Sequence, residues 1–422
     1  MEMPFWKCVI CGHEEPFQEI YACPRCSGEL TLEFDYKKLR KNRRWRRVWG
    51  KGNSLWEKFA PLLPPVNKSA IVTIGEGGTP LIPARRLAQH FGLKHLYLKL
   101  ECCNPTGSFK DRQIALAFCK AIEWGHKAFA IASSGNAGIS LAAFCARAGC
   151  TAYIWASRGT PFSKLCQMQV YGAHLFLLPD PKESGDMSSY YAAYTKIGEF
   201  CAKHGLVPMV TARRVNPLVV EGGKTIAFEI VLQLGRVPDK VFVPIGGGGL
   251  CGSTWKGFKE LKDVGLTDTV PQLFGAQYGN DQYLSIDQID KVSSAELSKY
   301  YVPLDGKWAL KSIAESGGAY LGKVSARVQE AQALLSATEG VFAEPAGAAS
   351  LAGLLEAIDR GLVRHNDWVV CYVTGHGLKD IESGKALCST YNLGSQTLIN
   401  QFADADSFLP SKMLVRNEQH NF

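Results

Sequence analysis

No stretch of the chain reaches the run of about 18 uninterrupted apolar residues that a membrane-spanning helix needs, so no membrane span is expected. The opening residues, Met1-Glu-Met-Pro-Phe-Trp-Lys-Cys8, lack the basic region, apolar core and cleavage site of a secretion signal. Without such a signal the 14 cysteines are expected as reduced thiols, and the chain as cytoplasmic. Internal repeats are absent. Charge of either sign is also limited: the net charge of +8 permits an anionic small molecule and does not demand nucleic acid.

What is present is a core-forming composition. Hydrophobic residues make up 46% of 422 positions and charged residues 20%, which suits a soluble globular chain of two or three domains at roughly 150 residues each. The 42 glycines fall in clusters, as expected where backbone turns tightly or approaches a ligand.

Two cysteine knuckles open the chain, Cys8-Val-Ile-Cys11 and Cys23-Pro-Arg-Cys26. Each such turn aims two thiolates at one point, so the pair suits tetrahedral zinc in a ribbon; the alternative is a ribbon that keeps its thiols without metal. A structural zinc would steady a segment too short to bury its own core. A basic run follows, from Lys37 to Arg47, interleaved with Trp45, Trp49 and Trp56. A ribbon beside basic and aromatic residues is a nucleic-acid pattern. The favoured reading is a solvated helix or linker whose tryptophans pack on the main body, with no nucleic-acid partner.

From about residue 71 strands alternate with helices. Strands are expected at Leu96–Leu100, Ala128–Ala132, Ala152–Trp155, Lys240–Ile245 and Val369–Val373, and helices at Ile114–Gly125 and Gly138–Gly149. Strand, glycine loop and helix in repetition indicate an α/β fold with mainly parallel sheets.

Four segments carry chemistry. In Asn104-Pro-Thr-Gly-Ser-Phe-Lys110-Asp-Arg112, a turn at Pro105 and Gly107 leads to a lysine opening a helix. The positive end of the helix favours the neutral, nucleophilic amine that a Schiff-base lysine needs. In Ser133-Ser134-Gly135-Asn136-Ala137-Gly138, the glycine lets the chain turn, Asn136 offers an amide to a ring hydroxyl, and the first N–H groups of the next helix can hold a substrate carboxylate. Gly246, Gly247, Gly248 and Gly249 expose backbone N–H groups between strand and helix, a phosphate cradle. Thr374, in Thr374-Gly-His-Gly-Leu-Lys379, places a hydroxyl where it can face a pyridine nitrogen without protonating it; His376 is given no catalytic role.

With these segments in order, the chain resembles the threonine synthase family among the fold type II, tryptophan synthase β-like, pyridoxal-phosphate enzymes. Gly75-Glu-Gly-Gly-Thr-Pro-Leu81, Glu221-Gly-Gly-Lys-Thr225, Trp255-Lys-Gly-Phe258 and Glu344-Pro-Ala346 add to the resemblance, which runs to about residue 380. It implies two open, mainly parallel twisted sheets with helices on both faces. It also implies pyridoxal 5'-phosphate on Lys110, with Asn136 at its ring oxygen, Gly246 to Gly249 on its phosphate and Thr374 at its ring nitrogen. A homodimer is expected from the family. The segments divide as a ribbon (1–35), a basic linker or helix (36–70), a large cofactor domain (71–103 and 210–390), a small mobile domain (104–209) and a C-terminal extension (391–422).

Departures cluster where the family binds a substrate phosphate. Ala137 stands where threonine is common, Val219 where an arginine is typical, and Leu250 where asparagine ends the cofactor loop. Losing charged hydrogen bonds at about 1–3 kcal/mol each weakens phosphate binding, and Arg213 and Arg214 compensate only if they point inward. The four-glycine loop and Glu344-Pro-Ala-Gly-Ala348 resemble instead the serine/threonine dehydratase and ammonia-lyase branch. The expected activity is thus a lyase on a small β-hydroxy L-amino acid, abstracting the α-proton and eliminating the β-substituent to give a keto acid and ammonia, or a replacement product. Threonine synthase, releasing phosphate from phosphohomoserine, is the alternative.

Overall fold

The computed structural model describes residues 3–133, 135–180, 188–279, 283–292, 299–391 and 393–394. Ser134, expected in the carboxylate loop, lies outside the described residues, as does nearly all of the C-terminal extension.

Three sheets organise the chain. The first is a small antiparallel ribbon in which β1 (Phe5–Cys8) pairs with both β2 (Glu14–Pro16) and β3 (Leu30–Glu33). Next in the chain come β4 (Leu81–Pro83) and β5 (His95–Lys99), which belong to the large sheet. The second sheet contains β6 (Ala128–Ala132), β7 (Thr151–Ser157), β8 (His174–Leu178) and β9 (Val207–Pro208), all parallel, in the order β8-β7-β6-β9. The largest sheet adds β10 (Lys240–Ile245), β11 (Gln272–Gln277), β12 (Ala319–Lys323) and β13 (Trp368–Tyr372). Its order is β12-β11-β10-β13-β5-β4, parallel except where β4 runs against β5. The expected fold type II architecture is the one observed.

Burial explains the strand composition. All six residues of β10 are buried, as are the last four of β13 and of β6. Strands covered by helices on both faces read as unbroken apolar runs. The helix Asn136–Ala148 ends at Gly149 in the left-handed conformation (φ 66°), which releases the chain into β7. The helix Pro345–Asp359 begins with the proline that its first turn tolerates.

One buried ionic cluster fixes the approach to the site. Arg112, in the first turn of the helix Lys110–Glu123, donates from Nε to Glu101 (2.8 Å) and from Nη2 to Glu229 (2.6 Å). Lys99 at the end of β5 also donates to Glu229 (2.7 Å), and all four side chains are buried. Removing one member of such a cluster costs about 3–5 kcal/mol because its partners stay buried and uncompensated.

The basic segment adopts short helical turns, Tyr36–Lys41 and Arg43–Arg47. Trp45 meets Trp49 edge-on at 5.6 Å, and Trp49 packs on Phe59 and Phe228 at 5.1 and 5.2 Å. Its tryptophans therefore face the main body while Lys37, Lys38, Arg40, Arg43 and Arg44 face solvent.

Candidate active site

A cavity of about 320 Å³ opens at the carboxyl ends of β6, β10 and β13, between the two parallel sheets. Ligands of open α/β sheets sit at such strand ends, where successive loops diverge. Of the residues expected at the site, Lys110, Ser133, Gly135, Asn136, Ala137, Gly246, Gly247, Gly248, Gly249 and Thr374 all line this one cavity.

Lys110 is the first residue of its helix, and its Nζ donates to Thr211 Oγ1 (2.7 Å) and Gln113 Oε1 (3.0 Å). Burial lowers the amine to about 7, while the charge of Asp305 acts in the opposite sense. A lysine so placed is about half neutral near pH 7, where an ordinary lysine is almost fully charged. Gly107 makes the preceding turn at φ +84°, and a side chain there would meet Lys379 Cε at 2.9 Å.

The glycine run divides in two. Gly248 has φ +96°, and a Cβ on it would lie 2.5 Å from the Asp305 carbonyl oxygen; one on Gly249 would lie 2.7 Å from Asp305 Oδ2. A Cβ on Gly246 or Gly247 would meet nothing within 4 Å. Gly249 opens the helix Gly249–Asp263, so the loop and helix start together present N–H groups to an anion. Asp305 braces the loop from behind: its N–H donates to Gly247 O (2.8 Å), and its carboxylate accepts from the Arg213 N–H (3.0 and 3.1 Å). Burial pushes this carboxyl up to about 7. No local motif marks Asp305 in the sequence.

In the Ser133–Gly138 loop the structure revises one reading. Gly135 has φ −157°, so no left-handed turn requires it, and the space around it is open. Ser133 makes the start of the helix instead, its Oγ accepting from the Gly135 and Gly138 N–H groups (3.3 and 3.2 Å). Asn136 donates from Nδ2 to Glu344 Oε1 (2.5 Å), and its Oδ1 is buried without a partner. Glu344 also pairs with Lys164 (2.9 Å), so Asn136, Glu344 and Lys164 form one connected group on the cavity wall. Thr374 lies just past β13, and among the described residues its hydroxyl makes a long contact to Ala346 O (3.4 Å). His376 is satisfied locally, its Nδ1 accepting from the Leu378 N–H (3.1 Å).

Neither of the arginines that compensate only by pointing inward enters the cavity. Arg213 turns away to pair with Glu29 beside the ribbon (2.6 Å) and to lie over Trp308 (4.2 Å), and Arg214 is exposed. Val219 itself is core.

A phosphorylated pyridine aldehyde needs a nucleophilic amine, an anion cradle and polar groups for its ring. The neutral-prone amine of Lys110, the open amide surface at Gly246 and Gly247 and the orphaned buried oxygen of Asn136 are such features. The residues fit the group.

At the ribbon, the Sγ atoms of Cys8, Cys11, Cys23 and Cys26 lie within 4.8 Å of one another. Individual separations are 3.5 Å for Cys8–Cys26, 3.8 Å for Cys11–Cys23 and 3.4 Å for Cys11–Cys26. Thiolates about 2.3 Å from a tetrahedral zinc stand roughly 3.8 Å apart, so this set fits a structural zinc. A Cβ on Gly28 would come within 3.1 Å of the Cys8 and Cys26 sulfurs.

Against known proteins, the family model described as pyridoxal-phosphate dependent enzyme matches residues 72–375. The chain is 34% identical over 386 residues to threonine synthase of Methanocaldococcus jannaschii, covering 89% of this chain and 92% of that protein. It is 36% identical over 359 residues to threonine synthase of Synechocystis sp., covering 84% and 87%. Among solved structures, the processed form of threonine deaminase isoform 2 from Solanum lycopersicum is similar in fold, with TM-score 0.58, 22% identity and coverage of 75% and 84%. Maize serine racemase is similar too, with TM-score 0.57, 21% identity and coverage of 74% and 92%.

Proposed function

We propose that this chain, which belongs to the pyridoxal-phosphate dependent enzyme family among the relatives of threonine synthase, is a lyase that removes the β-hydroxyl of an L-amino acid. The observation that carries this reading is the outward turn of Arg213 and Arg214. Among the described residues, the cations that line the cavity are Lys110 and Lys164, and Glu344 already engages Lys164. A substrate phosphate gains little there; an uncharged hydroxyl loses nothing.

Pyridoxal phosphate, when bound, supplies an aldehyde to join the amino group of a substrate and a ring to take up negative charge from Cα. The Gly246–Gly249 amides would hold its phosphate, Thr374 its ring nitrogen, and Asn136 its ring oxygen after leaving Glu344. The first amides of the helix Asn136–Ala148 orient the substrate carboxylate. Lys110 Nζ, lowered by burial, accepts the Cα proton and returns a proton to the departing hydroxyl. The neutral hydroxyl of Thr374 would leave a bound ring nitrogen unprotonated, which suits elimination over transamination.

The test is a substrate panel of L-serine, L-threonine, further β-hydroxy amino acids and phosphohomoserine, with keto acid, ammonia and phosphate followed together. Keto acid and ammonia from the hydroxy amino acids are expected. Phosphate release with threonine formation would replace this reading with threonine synthase, the activity that the names of the curated relatives favour.

A further inference from the structure

Four tyrosines line part of the cavity. Tyr194 comes from the helix Ser188–His204 beside the smaller parallel sheet, Tyr278 follows β11, and Tyr283 and Tyr301 come from the segment beyond it. The Tyr283 and Tyr301 rings are 4.6 Å apart and those of Tyr194 and Tyr301 5.5 Å, with the two hydroxyls of the latter pair 3.3 Å apart. One aromatic cluster thus joins the two sheet regions across the cavity. Ala137 and Leu250, both buried, add apolar lining, while Asn136, Lys164 and Glu344 supply polar groups to the same cavity.

Burial raises the Tyr278 phenol, with the charges of Asp380 and Glu344 acting in the same sense. An uncharged ring seated against this wall replaces water on aromatic faces and apolar side chains.

Resting on the lyase reading above, we infer that the substrate class is a β-hydroxy amino acid carrying an aromatic group on Cβ, of which L-phenylserine is the simplest, rather than the small substituent expected from sequence. The chemistry balances without any added oxidant. The Cα–H and Cβ–O bonds break, the hydroxide leaves as water with one proton, and the enamine released takes up one water to give phenylpyruvate and ammonia. Tyr301, at the junction of the cluster, is the specificity-determining residue.

The experiment measures kcat/KM of the holoenzyme for L-phenylserine, L-serine and L-threonine, in the unaltered chain and in Tyr301→Ala and Leu250→Asn. The expected result is at least about a tenfold preference for phenylserine over serine, the scale of one well-used apolar contact. In either variant that ratio is expected to fall about tenfold with the visible absorbance of the bound cofactor retained, so failure of one variant to fold leaves the other. Serine or threonine turned over faster than phenylserine overturns the aromatic assignment and leaves the lyase reading standing. Keto acid from none of the three, with phosphate released from phosphohomoserine, overturns both.

Discussion

In the assignment proposed above, the cofactor half of the cavity is mostly main chain, the glycine run after β10, joined by a lysine at the head of its own helix. Beyond the helix start after β6, which takes the substrate carboxylate, the substrate half is side chain, drawn from Tyr194, Tyr278, Tyr283, Tyr301, Lys164 and Glu344 on separate elements. Main-chain recognition of a phosphate depends on φ and on the absence of Cβ, so few residues can change without loss. Side-chain walls can be exchanged one at a time. The contrast teaches that a coenzyme and a substrate constrain the same cavity differently, and it can be tested by changes that strike one half only.

The largest effect is expected from Lys110→Ala, which should lower kcat/KM on the order of 10³-fold for every substrate equally. Steady-state kinetics on two substrates checks this, and a loss confined to one of them would contradict the division. Gly248→Ala should come next. Its φ of +96° and the 2.5 Å approach to the Asp305 carbonyl impose strain of about 2 kcal/mol, roughly thirtyfold in cofactor affinity, with the ratio between substrates unchanged. Equilibrium titration of the apo chain with pyridoxal phosphate measures it.

The pH dependence of cofactor attachment sharpens the same point. Burial lowers Lys110 to about 7, so the reactive neutral amine is scarce below that pH and saturates above it. The rate of adduct formation should rise about tenfold per pH unit below 7 and level off, whereas an ordinary lysine keeps gaining toward roughly 10.4. Stopped-flow absorbance from pH 5 to pH 9 distinguishes the two. The smallest effect on turnover is expected from chelation at Cys8, Cys11, Cys23 and Cys26. Metal removal should lower the thermal midpoint by several degrees while changing turnover less than about twofold. Differential scanning beside an activity assay reads both.

The same division decides what was legible in the sequence. Lys110, the glycine run and Thr374 each sit in a short contiguous segment whose residue types single them out, and the structure brings all of them to one cavity. Five of the parallel strands, β5, β6, β7, β10 and β13, were equally plain, because burial on both faces leaves an unbroken apolar run such as Lys240–Ile245 after its first residue, whereas β8, β9, β11 and β12 went unread. The tyrosine wall was not legible. Tyr194 and Tyr301 are brought together only by the packing of one sheet region on the other, and neither lies in a motif. Asp305 was hidden for the same reason, since its partners are the main chain of Gly247 and Arg213. The direction of Arg213 could not be read from its neighbours either; it is set by Glu29, far back in the ribbon. Short antiparallel β4 also went unread, three residues being too few for a periodic signal.

Gly246 and Gly247 are surrounded by open space, whereas Gly248 and Gly249 are hemmed in by Asp305. Two of the four glycines are therefore demanded by the shape of the bend, and two are not. A methyl group grafted at either of the roomy positions would meet no protein atom within 4 Å, and on the assignment proposed above it would line the coenzyme's side of the loop. Natural variation could adjust the grip on the coenzyme there, leaving the bend itself untouched.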